Sequence, residues 1–398
     1  MNVSRCSLLA LALLTAGCTG DGEEEELVQI GSILSTSGDL AGIGAFMISS
    51  ATLAVEEINA SGGVLGKTLQ IVNIDDRTEA GGAGEAAAQH LENGVPVVIG
   101  AIGSSYTMET VEYASQGMVV ISPTSTSPAL TTIEDNGYLF RTCPSDALQG
   151  ALMAGRAIDA GLTRAAILHV PGAYGEGMAE TFEVAFEEAG GEVTFSEAYE
   201  EGKSSYSDVL AEIVATEPDT IILPAYPVDG ARIVSDYLTG FSGEEIFFYL
   251  SDALADDDFI NLVGADNFHF GHEGTAPSGR GPFYDDFAAA YEAQTGDEPG
   301  IYQSNVYDAV YLAALAIEAA GSLEAETIRD ALGEIAVGGE AHGPATAMDA
   351  AASGADLNFE GASGSLDFDE YGDVSGSYAV WSVSEGAVEV SEIVDFEE

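Results

Sequence analysis

Basic residues are scarce in this chain of 398 residues, which has 10 Lys and Arg against 67 Asp and Glu and a formal net charge of -57. A field of this sign repels phosphate backbones and anionic lipid headgroups, so it excludes nucleic acid and a bare membrane surface as partners. The acidic residues are spread along the chain and are not confined to a tail. This distribution indicates a solvated surface adapted to high ionic strength, as in halophilic proteins, where salt screens the self-repulsion.

Cysteines are also few: the sequence has three, at positions 6, 18 and 143. The start of the chain is typical of a secretory signal, because Arg5 precedes a short apolar run, Leu8 to Leu14, and "TAGC" follows at once. Small residues directly before a cysteine are typical of a bacterial lipoprotein signal. We therefore predict a signal peptide over residues 1–18 with Cys18 lipidated, and an acidic tether over residues 19–26. An ordinary cleaved signal with an incidental cysteine is the alternative.

This assignment leaves Cys143 without a partner cysteine, so we expect no internal disulfide and a buried, unreactive side chain. Beyond the leader we find no stretch long and apolar enough to cross a bilayer. We therefore expect the lipid to be the only membrane attachment of an extracytoplasmic protein.

Catalytic motifs are missing as well. The sequence contains no G-x-S-x-G, no G-x-x-x-x-G-K-[ST], no H-E-x-x-H and no strand-linked G-x-G-x-x-G. An enzyme of the hydrolase or lyase type would need such a cluster, so we predict no catalysis and no cofactor.

Metal sites are not favoured either. His269, His272 and Glu273 lack a further ligand nearby in sequence. The segment "DFDEYGD" (367–373) begins like a calcium loop but has Tyr378 where a bidentate Glu is required, so we predict a β-hairpin turn there. The run 256–258 of three Asp predicts the start of a helix.

A regular alternation of strands and helices fills the chain from Leu27 onward. Continuous apolar runs such as Val97 to Ile99 and Met118 to Ile121 suit strands covered on both faces, which predicts a parallel sheet with helices above and below. The same rhythm restarts after "FRTCPSDALQG" (140–150). Two doubly wound α/β units predict a two-lobed protein with a ligand in the cleft beyond the carboxyl ends of the strands. The residues after those strand ends are polar, which includes "SPTSTS" (122–127).

Six segments in this order resemble the leucine-isoleucine-valine type of periplasmic substrate-binding protein of ABC transporters. They are "AVEEINASGGVLGKTLQIVNIDD" (54–76), "VISPTSTSPALT" (120–131), "FRTCPSDALQG" (140–150), "YGEGMAETF" (174–182), "NVYDAVYLAALAIEAAG" (305–321) and "GSLDFDEYGDVSG" (364–376). The resemblance implies a Venus-flytrap fold with three crossovers, with lobe 1 formed by residues 27–142 and 278–366 and lobe 2 by residues 143–277 and 367–398. It also implies a monomer that hands a captured amino acid to ABC permease subunits.

The resemblance further implies roles for single residues. The hydroxyls and adjoining backbone N–H groups of Ser104 and Thr126 would receive a ligand carboxylate, for which neutral donors at a helix N-terminus suffice. Capping of helices is the alternative role for both residues. Asp252 would meet the ligand ammonium, helped by the carbonyl of Thr124 or Ser125. The remaining predicted cleft residues close over the ligand or shape its side-chain pocket: Tyr174, Tyr226, Ile43 and Tyr302.

From these features we predict a solute-binding lipoprotein for a branched-chain or other mostly apolar amino acid. No cationic residue stands at the predicted pocket positions, which disfavours ligands with acidic side chains. The alternative keeps the fold and makes the protein a sensor of amides, short organic acids or aromatic compounds that signals through a partner.

Overall fold

The computed structural model describes residues 26–241 and 243–396. The predicted signal peptide with Cys18, and all of the predicted tether except Glu26, lie outside these residues. Over the described ranges the chain forms two main sheets flanked by helices. The predicted two-lobed α/β architecture is confirmed.

The first sheet has five parallel strands in the order β2-β1-β3-β4-β5. Its strands are β1 (Leu27–Ile33), β2 (Thr68–Asn73), β3 (Val97–Gly100), β4 (Val119–Ser122) and β5 (Leu139–Arg141), and its first helices are α1 (Ala41–Ala60), α2 (Gly82–Glu92) and α3 (Ser104–Ala114). Every residue of β3 and β4 is buried, because helices cover both faces of the sheet. The polar loops after β3 and β4 therefore leave the sheet side by side, at its carboxyl edge.

The second sheet has seven strands in the order β14-β13-β10-β9-β8-β6-β7. Five are parallel: β6 (Arg164–His169), β7 (Glu192–Ala198), β8 (Thr220–Leu223), β9 (Phe247–Leu250) and β10 (His272–Pro277). The helices that accompany them are α4 (Asp146–Asp159), α5 (Ala173–Glu188), α6 (Ser207–Ala215), α7 (Pro227–Gly240) and α8 (Asp257–Val263). Two antiparallel strands, β13 (Tyr378–Ser384) and β14 (Ala387–Val394), extend the sheet beyond β10.

Between β10 and β13 the chain returns to the first lobe. It forms α9 (Tyr284–Thr295), α10 (Gln303–Ala320), α11 (Ala325–Leu332), α12 (Pro344–Ala352) and a small sheet of β11 (Glu340–His342) and β12 (Leu357–Phe359). The chain thus passes between the sheets after β5, after β10 and after β12, which gives three crossovers. The lobe boundaries given above stay a prediction.

Each lobe has its own apolar core, and Tyr226 and Ile301 pack against both cores. In the first core α1 lies against the almost fully buried α10. The expectation that no stretch after the leader could span a bilayer is wrong by length and composition, since α1 is long and apolar enough. Its apolar residues, which include Met47 and Leu53, are part of this packed core.

Candidate functional site

A small cavity lies between the carboxyl ends of the two sheets. Its volume is about 30 Å³, and it is lined by Leu40, Ile43, Met47, Ile102, Gly103, Thr124, Tyr174, Tyr226, Asp252, Ala253, Ile301 and Tyr302. A water molecule needs about 10–15 Å³ of such a cavity, so the space holds about two waters, and a larger molecule enters only when the lobes separate. Much of the lining is apolar, and it carries a single carboxylate.

Six of the nine sequence-predicted site residues line this cavity: Ile43, Thr124, Tyr174, Tyr226, Asp252 and Tyr302. Sequence reasoning did not single out Leu40, Met47, Ile102 or Ile301, whose apolar side chains resemble those of ordinary core residues. The only sequence signal for them was their closeness to predicted strand ends or helix starts.

Asp252 is the carboxylate of the cavity. It follows β9 at the start of a short 3-10 helix and is 2% exposed. Its Oδ1 accepts a hydrogen bond from the Tyr174 hydroxyl at 2.6 Å, and its Oδ2 accepts one from the Tyr302 hydroxyl at 2.6 Å. Burial raises the pKa of Asp252, while these two bonds lower it. Because Tyr302 precedes α10 in the first lobe, the carboxylate joins the two lobes.

Tyr302 reaches Asp252 from a left-handed backbone conformation, with φ 63° at the N-cap of α10. This region is unfavourable for a bulky residue, and such strain persists only where the surroundings hold it. Here the side chain is 5% exposed and its hydroxyl is bound. The strained residue thus places a donor at the cavity.

Tyr174 and Tyr226 form the aromatic side of the cavity. Their rings stack with centroids 5.6 Å apart and an interplanar angle of 11°. Gly103, with φ 86°, faces them from the first lobe, and a Cβ at Gly103 would lie 2.8 Å from the Tyr226 hydroxyl oxygen. A glycine is therefore required where the first lobe meets this ring.

The loops after β3 and β4 are hydrogen-bonded to each other. The Gly103 N–H donates to Thr124 Oγ1 at 3.3 Å, and the Ser127 N–H donates to Ser104 Oγ at 3.1 Å. Ser104 is the first residue of α3, whose N-cap is Gly103, and Ser127 is the N-cap of the 3-10 helix 128–130. Helix capping by Ser104 or Thr126, the alternative from sequence, is therefore wrong.

Three predicted hydroxyls, those of Ser104, Ser125 and Thr126, are fully buried and do not line the cavity. Ser125 Oγ lies 2.8 Å from Thr107 Oγ1, and the Thr126 hydroxyl donates to Asp146 Oδ2 at 2.7 Å. Direct contact of these side chains with a ligand stays a prediction.

Arg141 stabilises the loop after β4 through hydrogen bonds to its carbonyl groups. It is 1% exposed, and its Nη1 donates to the carbonyls of Ser125 at 3.2 Å and Ser127 at 2.9 Å. Its Nε donates to Asp373 at 2.6 Å, on the crossover between β12 and β13. The Ser125 carbonyl, one of the two predicted to meet a ligand ammonium, is thus already bound to a guanidinium.

A second buried carboxylate, missed by sequence reasoning, lies behind the loop. Asp146 is in the first turn of α4, and it is fully buried. Burial, together with the nearby charge of Asp252, raises the pKa of Asp146 well above its usual value. Among the described residues no partner reaches Asp146 Oδ1, and the same holds for Gln149 Oε1, one turn further along α4.

The lobes touch directly at the start of α5. The Ala173 N–H donates to Ser105 Oγ at 3.0 Å, and the Ser127 hydroxyl donates to the Ala173 carbonyl at 2.7 Å. Gly177, one turn later, lies so close that a Cβ there would be 2.9 Å from Ser127 Oγ and 3.0 Å from Pro128 Cδ. These contacts define a closed arrangement of the two lobes.

The other residue groups singled out from the sequence lie apart from the cavity. In residues 26–241 and 243–396 no group of His, Cys, Asp and Glu could hold a metal ion, and His272 Nε2 accepts from the Val383 N–H at 3.0 Å. The segment 367–373 forms a tight turn closed by the Asp369 N–H on the Asp373 carbonyl, but its flanks are not strands, so the predicted hairpin is wrong. Asp256 caps α8, as the acidic run predicted, and Cys143 is buried.

Comparisons with known proteins agree with this geometry. A family model described as "Periplasmic binding protein" matches residues 27–363. A leucine-, isoleucine-, valine-, threonine- and alanine-binding protein of Pseudomonas aeruginosa is 26% identical over 82% of this chain and 88% of the relative. The chemotactic signal transduction system substrate-binding protein BasB of Halobacterium salinarum is 26% identical over 92% of this chain and 89% of the relative. The crystal structure of a leucine-binding protein, LivK, from Thermotoga maritima is similar with a TM-score of 0.80 and 25% identity, over 92% of this chain and 99% of that one.

Proposed function

We propose, from the premise that this chain belongs to the periplasmic binding protein family, that it captures a branched-chain or other mostly apolar α-amino acid between its lobes and delivers it to an ABC importer. The observation that carries the proposal is the lining of the cavity, which combines one carboxylate with apolar side chains. Asp252 offers the carboxylate, and Leu40, Ile43 and Met47 offer apolar contacts. An α-amino acid with an apolar side chain has matching parts, and the residues that line the cavity include no Lys or Arg.

The ammonium and the carboxylate of the amino acid each have proposed partners in the protein. Asp252 meets the ammonium, and the Thr124 carbonyl assists it because the Ser125 carbonyl is bound to Arg141. The ligand carboxylate is received by Ser104 and Thr126 through hydroxyl and backbone N–H groups near the N-terminus of α3, where the helix dipole favours an anion.

Closure completes the site. Tyr174 and Tyr226 belong to the second lobe and Ile43 to the first, so a ligand is enclosed only when both lobes contribute. The residues that line the cavity include no His, and relatives of this chain are named as binding proteins. We therefore propose that the protein binds its ligand without catalysis.

Family membership places the protein outside the cytoplasm. The predicted leader ending at Cys18 supplies the export signal and a lipid anchor, and the ABC permease subunits are the proposed partner of the monomer. The acidic surface with its net charge of -57 suits this role in a salt-rich medium.

A sensor role is the second candidate. The relative from Halobacterium salinarum, which aligns with 92% of this chain, is named as a substrate-binding protein of a chemotactic signal transduction system. In this case the same closed lobes would contact a signalling partner, and the ligand could be an amide, a short organic acid or an aromatic compound.

A thermal-shift screen in molar salt tests the ligand class. A ligand that binds only the folded protein raises its stability by RT ln(1 + [L]/Kd), about 2.7 kcal/mol at a hundredfold excess over Kd. We expect one or more branched-chain or apolar amino acids to raise the melting temperature, and aspartate and glutamate to leave it unchanged. A shift with small amides or aromatic acids and with no α-amino acid would refute the main proposal and favour the second.

A further inference from the structure

Two carboxylates are enclosed in the second lobe, and both are covered by the first lobe. Asp146 begins α4 and Asp252 follows β9, and their exposed fractions are 0% and 2%. On closure the Thr126 hydroxyl covers Asp146, and the Tyr302 hydroxyl covers Asp252. Separation of the lobes would remove these two contacts and admit water to both carboxylates, whereas the closed arrangement excludes it.

The positive charges around this pair do not balance it. Arg141 acts on Asp146, but its guanidinium is hydrogen-bonded to Asp373, so this ion pair is already neutral. In the proposed complex the ligand ammonium balances Asp252, and the ligand carboxylate adds another negative charge. Asp146 is then left without a cation, and an unpaired buried carboxylate is so costly that it takes up a proton instead.

The hydrogen bonds identify which carboxylate takes the proton. Asp252 accepts from two tyrosine hydroxyls, and the Gln149 amide lies 3.4 Å away; all of these contacts stabilise the charged form. Asp146 accepts from Thr126 alone, and its Oδ1 has no partner among the described residues. Burial and the charge of Asp252 accordingly raise the pKa of Asp146 well above its usual value.

Apart from Asp252 and Arg141, the titratable groups near Asp146 stay neutral while it titrates. Burial raises the pKa of Cys143 and of the tyrosines that feel the charge of Asp146, which are Tyr174, Tyr226, Tyr302 and Tyr378. None of them carries a charge in the range where a carboxylate loses its proton. Asp252 and Arg141 are thus the charged neighbours of Asp146 on the elements packed around it.

We propose that closure of the lobes on the ligand takes up one proton at Asp146, which then donates to Thr126 Oγ1. The Thr126 hydroxyl hydrogen, which points to Asp146 when that carboxylate is charged, becomes available to the ligand carboxylate. Asp146 is thus a positioning residue that sets the direction of one hydrogen bond. This inference rests on the proposed function for the role of Thr126, but the proton uptake is measurable on its own.

The direction in which ligand affinity changes with pH follows from the pKa of Asp146 in the open and closed forms. With the lobes apart water reaches Asp146, so its pKa is nearer the ordinary value than in the closed form. Between the two pKa values closure adds a proton, so ligand affinity falls as pH rises, by up to about tenfold per pH unit. Above the raised pKa of the closed form the affinity becomes constant.

Isothermal titration calorimetry measures the number of protons taken up on binding. The full chain is titrated with an amino acid that binds, in molar NaCl and in buffers of different ionisation enthalpy. The wild-type protein should take up one proton at a pH between the ordinary and the raised pKa of Asp146. Asp146→Asn offers an amide N–H in place of the acid O–H, so this variant should bind at least as tightly at neutral pH, with no proton uptake and a flat pH profile. Asp208→Asn, an exposed acid in the first turn of α6, serves as the matched control and should behave like the wild type.

Three results would overturn the inference. Binding by Asp146→Asn more than about tenfold weaker at neutral pH would mean that Asp146 is a charged counter-ion of the ligand. Heats independent of the buffer in the wild type would mean that no proton is taken up. Loss of wild-type binding when choline chloride replaces NaCl at equal ionic strength would mean that the site takes a metal cation instead.

A readout without ligand separates this inference from the proposed function. Closure without ligand takes up the same proton, so a lower pH favours the closed form of the wild type, and Asp146→Asn lacks this response. Small-angle X-ray scattering of the ligand-free proteins should therefore show a smaller radius of gyration for the wild type as pH falls toward the ordinary carboxylate range, and no change for Asp146→Asn. If no amino acid binds, the proposed function fails, and this comparison still decides the inference: the same response in both proteins would overturn it.

Discussion

Substitution of Asp252 by Asn should weaken ligand binding strongly without destabilising the protein. The Asn side chain keeps the shape of the carboxylate. Its Oδ1 accepts from one of the two tyrosine hydroxyls that now bind Asp252, and its Nδ2 donates to the other, so the network with Tyr174 and Tyr302 survives. What is lost is the negative charge that balances the ligand ammonium.

The expected loss of ligand affinity follows from the burial of Asp252. Asp252 is 2% exposed, so the ammonium is left in a closed cavity without a counter-charge. Loss of one partner of such a buried charge pair costs about 2–5 kcal/mol, which corresponds to a Kd about 30-fold to a few thousand-fold higher. The free energy of unfolding without ligand should be unchanged or higher, since a buried charge is removed. The effects on affinity and on stability thus have opposite signs.

Calorimetry for Kd and urea unfolding for stability, both in molar salt, test this reasoning. Asp257→Asn, five residues further along and exposed, is the control and should leave both quantities unchanged. A Kd for Asp252→Asn within about threefold of the wild type would refute the ammonium assignment. A loss of stability as large as the loss of binding would show that the charge is needed for the fold instead.

Two further substitutions test the closed arrangement and the support of the binding loop. Gly177→Ala places a methyl group against Ser127 and Pro128 of the opposite lobe, so we expect a Kd about tenfold higher, while Gly155→Ala in α4 meets nothing within 4 Å and should leave Kd unchanged. Both variants gain up to about 1 kcal/mol of helix stability, so equal Kd values by calorimetry would contradict the closure contact. Arg141→Met leaves Asp373 without its cation and two loop carbonyls without the guanidinium donor. This variant should lower the free energy of unfolding by about 3–5 kcal/mol in urea, whereas a loss under about 1 kcal/mol would contradict the supporting role of Arg141.

Much of the fold could be predicted from the sequence because the parallel strands have a strong local signal. β3 and β4 are continuous apolar runs, and both are buried along their whole length. Short polar runs after these strands also marked the cleft, since parallel strands end at one edge of a sheet. The turn at 367–373 was harder, because its role is to carry Asp373 to Arg141, a contact between residues 232 positions apart.

Contacts between residues far apart in sequence also limited the prediction of the candidate site. Asp252 and Tyr226 follow strand ends, which marked them as candidates, whereas the role of Tyr174, in the first turn of α5, came from the family resemblance. Asp146 looks like a favourable acid in the first turn of a helix, and Arg141 looks like the polar end of a strand, so neither has a local pattern that marks it as buried. Their roles depend on partners from distant segments, which a single sequence does not bring together.

The contacts at Ala173 have a consequence for how fast a ligand leaves. Ser105 and Ser127, which hold the lobes together there, directly follow Ser104 and Thr126, the residues proposed to hold the ligand. The same two loops therefore govern both the fit of the ligand and the lifetime of the closed form. A change in either loop that admits a different ligand will also alter the dissociation rate, so selectivity and the rate of delivery cannot evolve separately in this protein.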